Sequence, residues 1–385
     1  MQQAVIVDAV RTPIAKASSE SGNFRDVRAE DLSAHVMKSL VERTGIDPHL
    51  IEDVKWGCVQ QQGEQGIDVG RIASLIAGLP IEVAGVTINR NCGSSLTAIH
   101  DAAMYIAAGN DNIQIAGGIE HMDHVPMTKG YSIAPSLLRK YSEAMMHMGM
   151  TAEYLATKYQ VGRLEQDEFA ARSHELAAKA TNAGSFQSEI VPTWGRDETG
   201  RKTLINRDQG IRYDCTVDGL SGLRPAFKPA GGSVTAGNSS QLSVGATALL
   251  LMSAETASEL GYKPLAKVVS MAVVGVDPCE MGIGPVPAVL KALDRAGLTL
   301  NEIGAIELNE AFAVQALSVL KCLGIGTEKV NLRGGAVALG HPLGASGARI
   351  ATTLLYRMRD ENVKYGLATM CIGQGQGIAT IFEAM

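Results

Sequence analysis

One pattern occurs twice in this chain, and it constrains the fold more than any other feature. Around residue 90, the β-like run Val86-Thr87-Ile88 passes through the turn Arg90-Asn91-Cys92-Gly93 into a helical stretch, and Ile113-Gln114-Ile115-Ala116 then ends in Gly117-Gly118. Near the end the order returns: a glycine turn closing at Gly347, a helical stretch over 348–355, the strand-like Leu367-Ala368-Thr369-Met370, then Cys371 and more glycines. In the first copy Leu96, Ile99, Ala103 and Ile106 share one helical face, Ser94 and Ser95 offer capping hydroxyls, and Gly109-Asn110 stop the helix. Strand and helix in alternation predict an α/β fold with parallel sheets covered by helices, and the recurrence predicts two similar halves. The openings of the halves agree, Ala4-Val5-Ile6-Val7 being answered by Ala266-Lys267-Val268-Val269.

At 385 residues the chain exceeds what one ordinary core needs, and 46% hydrophobic residues with 42 glycines suit a tightly packed α/β protein. Between the halves the pattern changes. The reading is an N-terminal half over 1–120 with 245–262, an inserted loop domain over 121–244 and a C-terminal half over 263–385. The insertion carries one clear helix over 164–180, with Phe169, Ala170, Leu176 and Ala177 as its apolar stripe. A net charge of −6 without any basic run argues against nucleic-acid binding. No apolar run approaches a membrane span and the opening residues lack a signal-peptide pattern, so a cytoplasmic location is expected. Six scattered cysteines without a C-x-x-C pair support neither a disulfide framework nor a structural zinc site.

Cys92 precedes a helix, where free N–H groups and the helix dipole stabilise a thiolate, so a lowered pKa and a nucleophilic role are expected. Taken alone a cysteine is more often inert packing; the turn-then-helix setting is what favours chemistry. His341, between Gly340 and Pro342, lies on no apolar periodic face and suits a general base for a thiol. Cys371 ends a strand before glycines, where a buried strand cysteine and a functional one read alike. In Asn309-Glu310, the amide can orient a water or donate to an oxyanion, and the carboxylate can hold the histidine or a water; an ordinary helix start explains the same letters. Gly373-x-Gly375-x-Gly377 fails as a dinucleotide fingerprint, because the eight residues after it look like a strand and not a helix. His121, Asp123 and His124 lack a distant further ligand, so no metal is expected.

Together Asn91-Cys92-Gly93-Ser94-Ser95, Asn309-Glu310-Ala311-Phe312, Gly340-His341-Pro342 and Cys371-Ile372-Gly373 resemble the four motifs of the thiolase family, in family order across nearly the whole chain. Gly117-Gly118-Ile119-Glu120-His121-Met122 and His124-Val125-Pro126-Met127 are similar to the degradative branch that forms the β-subunit of the fatty acid oxidation complex. The resemblance implies duplicated βαβαβαββ halves in a five-layer αβαβα core, and thiolytic cleavage of 3-ketoacyl-CoA by CoA. In that reaction Cys92 is the acylated nucleophile, His341 its proton acceptor and Cys371 the acid/base for the second substrate. Asn309 holds an oxyanion water, and the N–H groups of Cys92 and Gly373 form a second oxyanion site. It also implies CoA contacts at His147, Met148, Phe227, Ala236 and Ser240, with Arg212 toward the nucleotide end. CoA is a substrate and no permanent cofactor is implied. A homodimer docked on a multifunctional hydratase/dehydrogenase α-subunit is the implied assembly. Two competing readings remain: a biosynthetic acetoacetyl-CoA thiolase with the same residues, and a catalytically silent acyl-CoA-binding scaffold. Three departures from the family pattern stand out: Val244 in place of an aspartate, expected to disturb its loop, Arg333, expected to change the charge beside the site, and the loop Lys16 to Gly22.

Overall fold

The central strands of this chain are buried on both faces because helices cover them on both sides. In the computed structural model, which describes residues 2–130 and 132–385, all nine residues of Ile113–His121 and all eleven of Ser243–Ser253 are buried. The first half supplies β1 (Ala4–Arg11), β2 (Asp53–Gly57), β3 (Ala84–Ile88), β4 (Ile113–His121) and β5 (Ser243–Ser253), ordered β3-β2-β4-β5-β1. The second supplies β6 (Ala266–Gly275), β7 (Ala305–Leu308), β8 (Tyr365–Ile372) and β9 (Gln376–Ala384), ordered β7-β8-β9-β6. A parallel bridge from Ile306 to Val330 stands where β3 stands in the first half. In both halves the pairs at the free edge are parallel and those toward the junction antiparallel, and the halves meet where Val5 pairs with Lys267 and Ile6 with Ala266.

Helices α1 (Ala29–Thr44), α2 (Val69–Ile76) and α3 (Ser94–Ala108) belong to the first half. The insertion holds α4 (Met148–Lys158) and α5 (Arg163–Asn182), and the second half α6 (Pro285–Ala296), α7 (Ala313–Leu323) and α8 (Ser346–Glu361). The connectivity is the implied βαβαβαββ, once per half. Leu96 and Ile99 of α3 and Leu354 and Leu355 of α8 share one apolar cluster with Leu249 and Leu251 of one sheet and Met370 and Ile378 of the other. The outer faces of the two sheets pack on α1 with α2, and on α6 with α7. This is the five-layer stack, with α3 and α8 as its central layer. Each fully buried Leu or Ile there contributes about 1.5–3 kcal/mol.

The central helices differ in detail from the sequence reading. Ser94 and Ser95 do not cap α3: its N-cap is Gly93, with no side-chain cap. Ser95 Oγ instead accepts the Ala348 N–H of α8 at 2.9 Å, so one central helix serves the start of the other. That requires close approach. A Cβ on Gly347 would lie 2.5 Å from the Leu96 nitrogen. Helix α8 also runs well past 355, because Arg357 is buried against Glu307 at 2.8 Å and the apolar period gives no hint of such a pair.

Where the second half joins β8 to β9 by the short turn Gly373 to Gly375, the first half inserts everything from Met122 to Leu242 between β4 and β5. In the insertion, α5 buries Gln166, Asp167, Ser173 and His174 beside the expected Phe169, Ala170 and Ala177, while Leu176 is half-buried. Arg11 of β1 fastens this segment to the core, with Nε 2.7 Å from Glu189 and NH1 2.7 Å from Asp208. Val244 continues β5 opposite His121 and Ala15 and is buried among apolar side chains, so the expected loop disturbance is absent. No described helix is long and apolar enough to cross a membrane.

Candidate active site

Both central helices begin at the same place, and the residues in front of them face one another. The β3–α3 turn carries Cys92 on a backbone that Asn91 bends with φ +45°, and Asn91 Nδ2 donates to the Gly373 carbonyl at 3.1 Å. The loop before α8 carries His341 after Gly340, whose φ of +109° and approach to Ser243 Oγ leave no room for a side chain. Ser243 Oγ then accepts the His341 N–H at 3.1 Å. Cys371 ends β8, beside the β8–β9 turn.

Cys92, His341 and Cys371 line one cavity of about 510 Å³. His147, Met148, Arg212, Phe227, Ala236 and Ser240 line it too, so the structure brings these nine expected residues together. Asn309 and Gly373 stand just behind the wall. Asn309 Nδ2 is 3.4 Å from His341 Nε2, and the Gly373 N–H and the Cys92 N–H both point at the Cys92 sulfur. Phe227 is wedged between His147 and Phe312, at ring-centre distances of 5.7 and 6.0 Å. Its ring lies so close to Gly149 that a Cβ there would sit 2.2 Å away.

Charge in this cavity is set by burial. The Cys92 thiol is pushed up to about 11 by burial, which outweighs the two N–H groups that favour its thiolate. This corrects the expected lowering: the N–H groups at the sulfur come from Gly373 and Cys92 itself, and the sulfur has been removed from water. Burial also pushes the Cys371 thiol up, and the neighbouring Cys92 adds to it. His341 is pushed down to about 3 by burial and then by Arg349, so its ring is neutral at pH 7. Ser346 Oγ donates to the Pro342 carbonyl at 2.8 Å, so it accepts from His341 Nδ1 at 2.6 Å. The proton of the neutral ring is therefore on Nδ1, and Nε2 is left as an acceptor.

Two further expectations are corrected. Glu310 does not hold the histidine: it is fully buried and takes Ser173 Oγ at 2.7 Å, Asn331 Nδ2 at 2.8 Å and the Val337 N–H at 3.1 Å. Arg333 adds no charge beside the cavity, because it turns away to the Ser185 carbonyl and Asp360, at 2.9 and 2.7 Å. Met122, Met127, Met281 and Leu343 are among the other residues of the wall. Nothing in their spacing marks them, because they come from separate segments.

Glu64, not Asp123, joins His121 and His124 in a cluster with metal-ligating groups. Its ring nitrogens are already engaged. His121 Nε2 lies 3.2 Å from the Phe24 carbonyl and Nδ1 accepts the His124 N–H at 3.1 Å; His124 reaches Glu64 at 2.9 Å and the Arg25 carbonyl at 2.8 Å.

Residues 4–255 match the family model for the thiolase N-terminal domain, and residues 262–384 that for the thiolase C-terminal domain. The chain belongs to the thiolase family. Its relatives in that family include a 3-ketoacyl-CoA thiolase of Photobacterium profundum, 55% identical over 387 aligned positions that cover all of both proteins. Another, from Escherichia coli O139:H28, is 54% identical over the same span and bears the same name. Among solved thiolase structures, the Bacillus anthracis acetyl-CoA acetyltransferase superposes with a TM-score of 0.91 at 39% identity, covering 100% of this chain and 99% of that one.

Proposed function

We propose that this chain is a 3-ketoacyl-CoA thiolase, an acyltransferase that cleaves 3-ketoacyl-CoA with CoA to acetyl-CoA and an acyl-CoA two carbons shorter. The observation that carries it is the meeting of two thiols and a neutral imidazole on one mostly apolar cavity. Cys92 Sγ attacks the 3-keto carbon and its proton passes to His341 Nε2. The bond between C2 and C3 breaks, the acyl group stays on Cys92, and the enolate of acetyl-CoA takes the Cys371 proton at C2. CoA then enters and gives its thiol proton to the Cys371 thiolate. Its sulfur displaces the acyl group, and the His341 proton returns to Cys92. The N–H groups of Cys92 and Gly373 serve one oxyanion, and His341 with a water on Asn309 the other. CoA lies along His147, Met148, Phe227, Ala236 and Ser240, with Arg212 toward its nucleotide end.

The three-part division at 121–244 belongs to the same proposal, as does a role in fatty acid β-oxidation in the cytoplasm. So does assembly as a homodimer on a multifunctional α-subunit. Edge strand β3 supports the dimer: it pairs on one side only among the described residues, and Ile67, Ile81 and Val86 around it are exposed. Incubation with a long-chain 3-ketoacyl-CoA is expected to add one acyl mass to the peptide containing Cys92, and Cys92→Ala to abolish it. An unmodified Cys92 in the native enzyme would favour the silent-binding reading. Activity confined to acetoacetyl-CoA would favour the biosynthetic one.

A further inference from the structure

Arg349, one turn into α8, is 1% exposed. Its Nε and NH1 have no hydrogen-bond partner among the described residues, and NH1 is 3.9 Å from Glu307 Oε2, which is itself unpartnered. A buried guanidinium served this poorly costs several kcal/mol compared with an apolar side chain of the same volume. Its one hydrogen bond runs toward the cavity: NH2 donates to Asn309 Oδ1 at 3.5 Å.

A guanidinium can only donate, so this contact fixes the polarity of everything beyond it. Asn309 Oδ1 must face Arg349, because the flipped amide would set N–H against N–H. Nδ2 then faces His341 Nε2 at 3.4 Å, His341 Nδ1–H donates to Ser346 Oγ, and Ser346 donates to the Pro342 carbonyl. Every link runs in one direction. We infer that Arg349 is a positioning residue of the acyl-transfer site: through Asn309 it fixes which way the amide faces and, together with Ser346, holds the proton of His341 on Nδ1. The charge of Arg349 also disfavours the imidazolium, which helps keep the resting ring neutral.

This inference rests on the thiolase reading for its kinetic arm but not for its spectroscopic one. In 15N spectra of the imidazoles at pH 7, His341 is expected as the Nδ1–H tautomer in the unsubstituted enzyme and with a share of Nε2–H in Arg349→Met; Nε2–H in the unsubstituted enzyme, or a spectrum that Arg349→Met leaves unchanged, overturns the inference whatever the enzyme catalyses. Kinetically, Arg349→Lys is expected to lower kcat about 10–100-fold with KM for 3-ketoacyl-CoA changed less than about twofold. In an Asn309→Ala background the same substitution is expected to change kcat less than about twofold, since its route of action is already cut. Losses that multiply across the two substitutions, or a rise in KM alone, overturn it. If the unsubstituted enzyme fails to acylate Cys92, the functional reading falls and the tautomer alone judges Arg349.

Discussion

At the scale of single residues, burial keeps Cys92, Cys371 and His341 in their neutral forms. His341 is held down to about 3 and Cys92 up to about 11, so neither titrates near neutrality. The sign for His341 is definite: its neutral form is favoured above the ordinary histidine range and is lost only as pH falls toward 3. Consequently kcat/KM is expected to vary less than about threefold between pH 6 and 9, which a pH–rate profile of the free enzyme measures directly. An acid limb centred near 6.5 would refute it, because an ordinary histidine sits there. The reactive residues themselves were legible, since Gly340 and Pro342, and Gly93 and Gly373, frame them with backbone no packing residue needs. The direction of the Cys92 shift was not. A helix start is a local feature, whereas exclusion from water depends on the insertion closing over it.

At the scale of elements, the central layer depends on two helices whose starts meet without a side chain at Gly347. The Cβ of Gly347→Ala would meet the Leu96 nitrogen at 2.5 Å and Cα at 3.0 Å, backbone atoms that cannot rotate away. A destabilisation of about 1–3 kcal/mol is expected, read as a lower urea midpoint at unchanged slope. An unchanged midpoint would mean that the helices separate freely. Periodicity located α3 and α8 but misplaced the cap and the end. Ser95 is within reach of its own helix and of α8, and only their packing decides which one it serves. Arg357 likewise reads as a solvated residue until Glu307, fifty positions away in sequence, comes beside it.

Across the whole molecule, the insertion supplies one wall of the cavity, and Arg11 is a buried polar anchor that ties it to the core. That guanidinium is wholly buried between Glu189 and Asp208, and Thr353 of α8 adds a bond to Glu189 at 3.2 Å. Arg11→Met is expected to cost about 3–5 kcal/mol by leaving two carboxylates buried without a cation. Limited proteolysis is expected to cut first between 186 and 210. Cleavage that starts in the central helices instead would show that the anchor lies elsewhere.

The sequence by itself determined the duplicated strand–helix–strand order, and its motifs named Cys92, His341, Cys371 and Asn309 as the candidates that the structure gathers. These are properties of short stretches, carried by periodicity and by glycines at turns that need them. Only the tertiary structure decided that Glu310 braces a loop, that Arg333 points away, that Glu64 joins the two histidines, and that Arg349 stands behind Asn309. Each of those depends on which buried partner lies opposite, and that partner is chosen by packing between segments remote in sequence, about which local pattern carries no information.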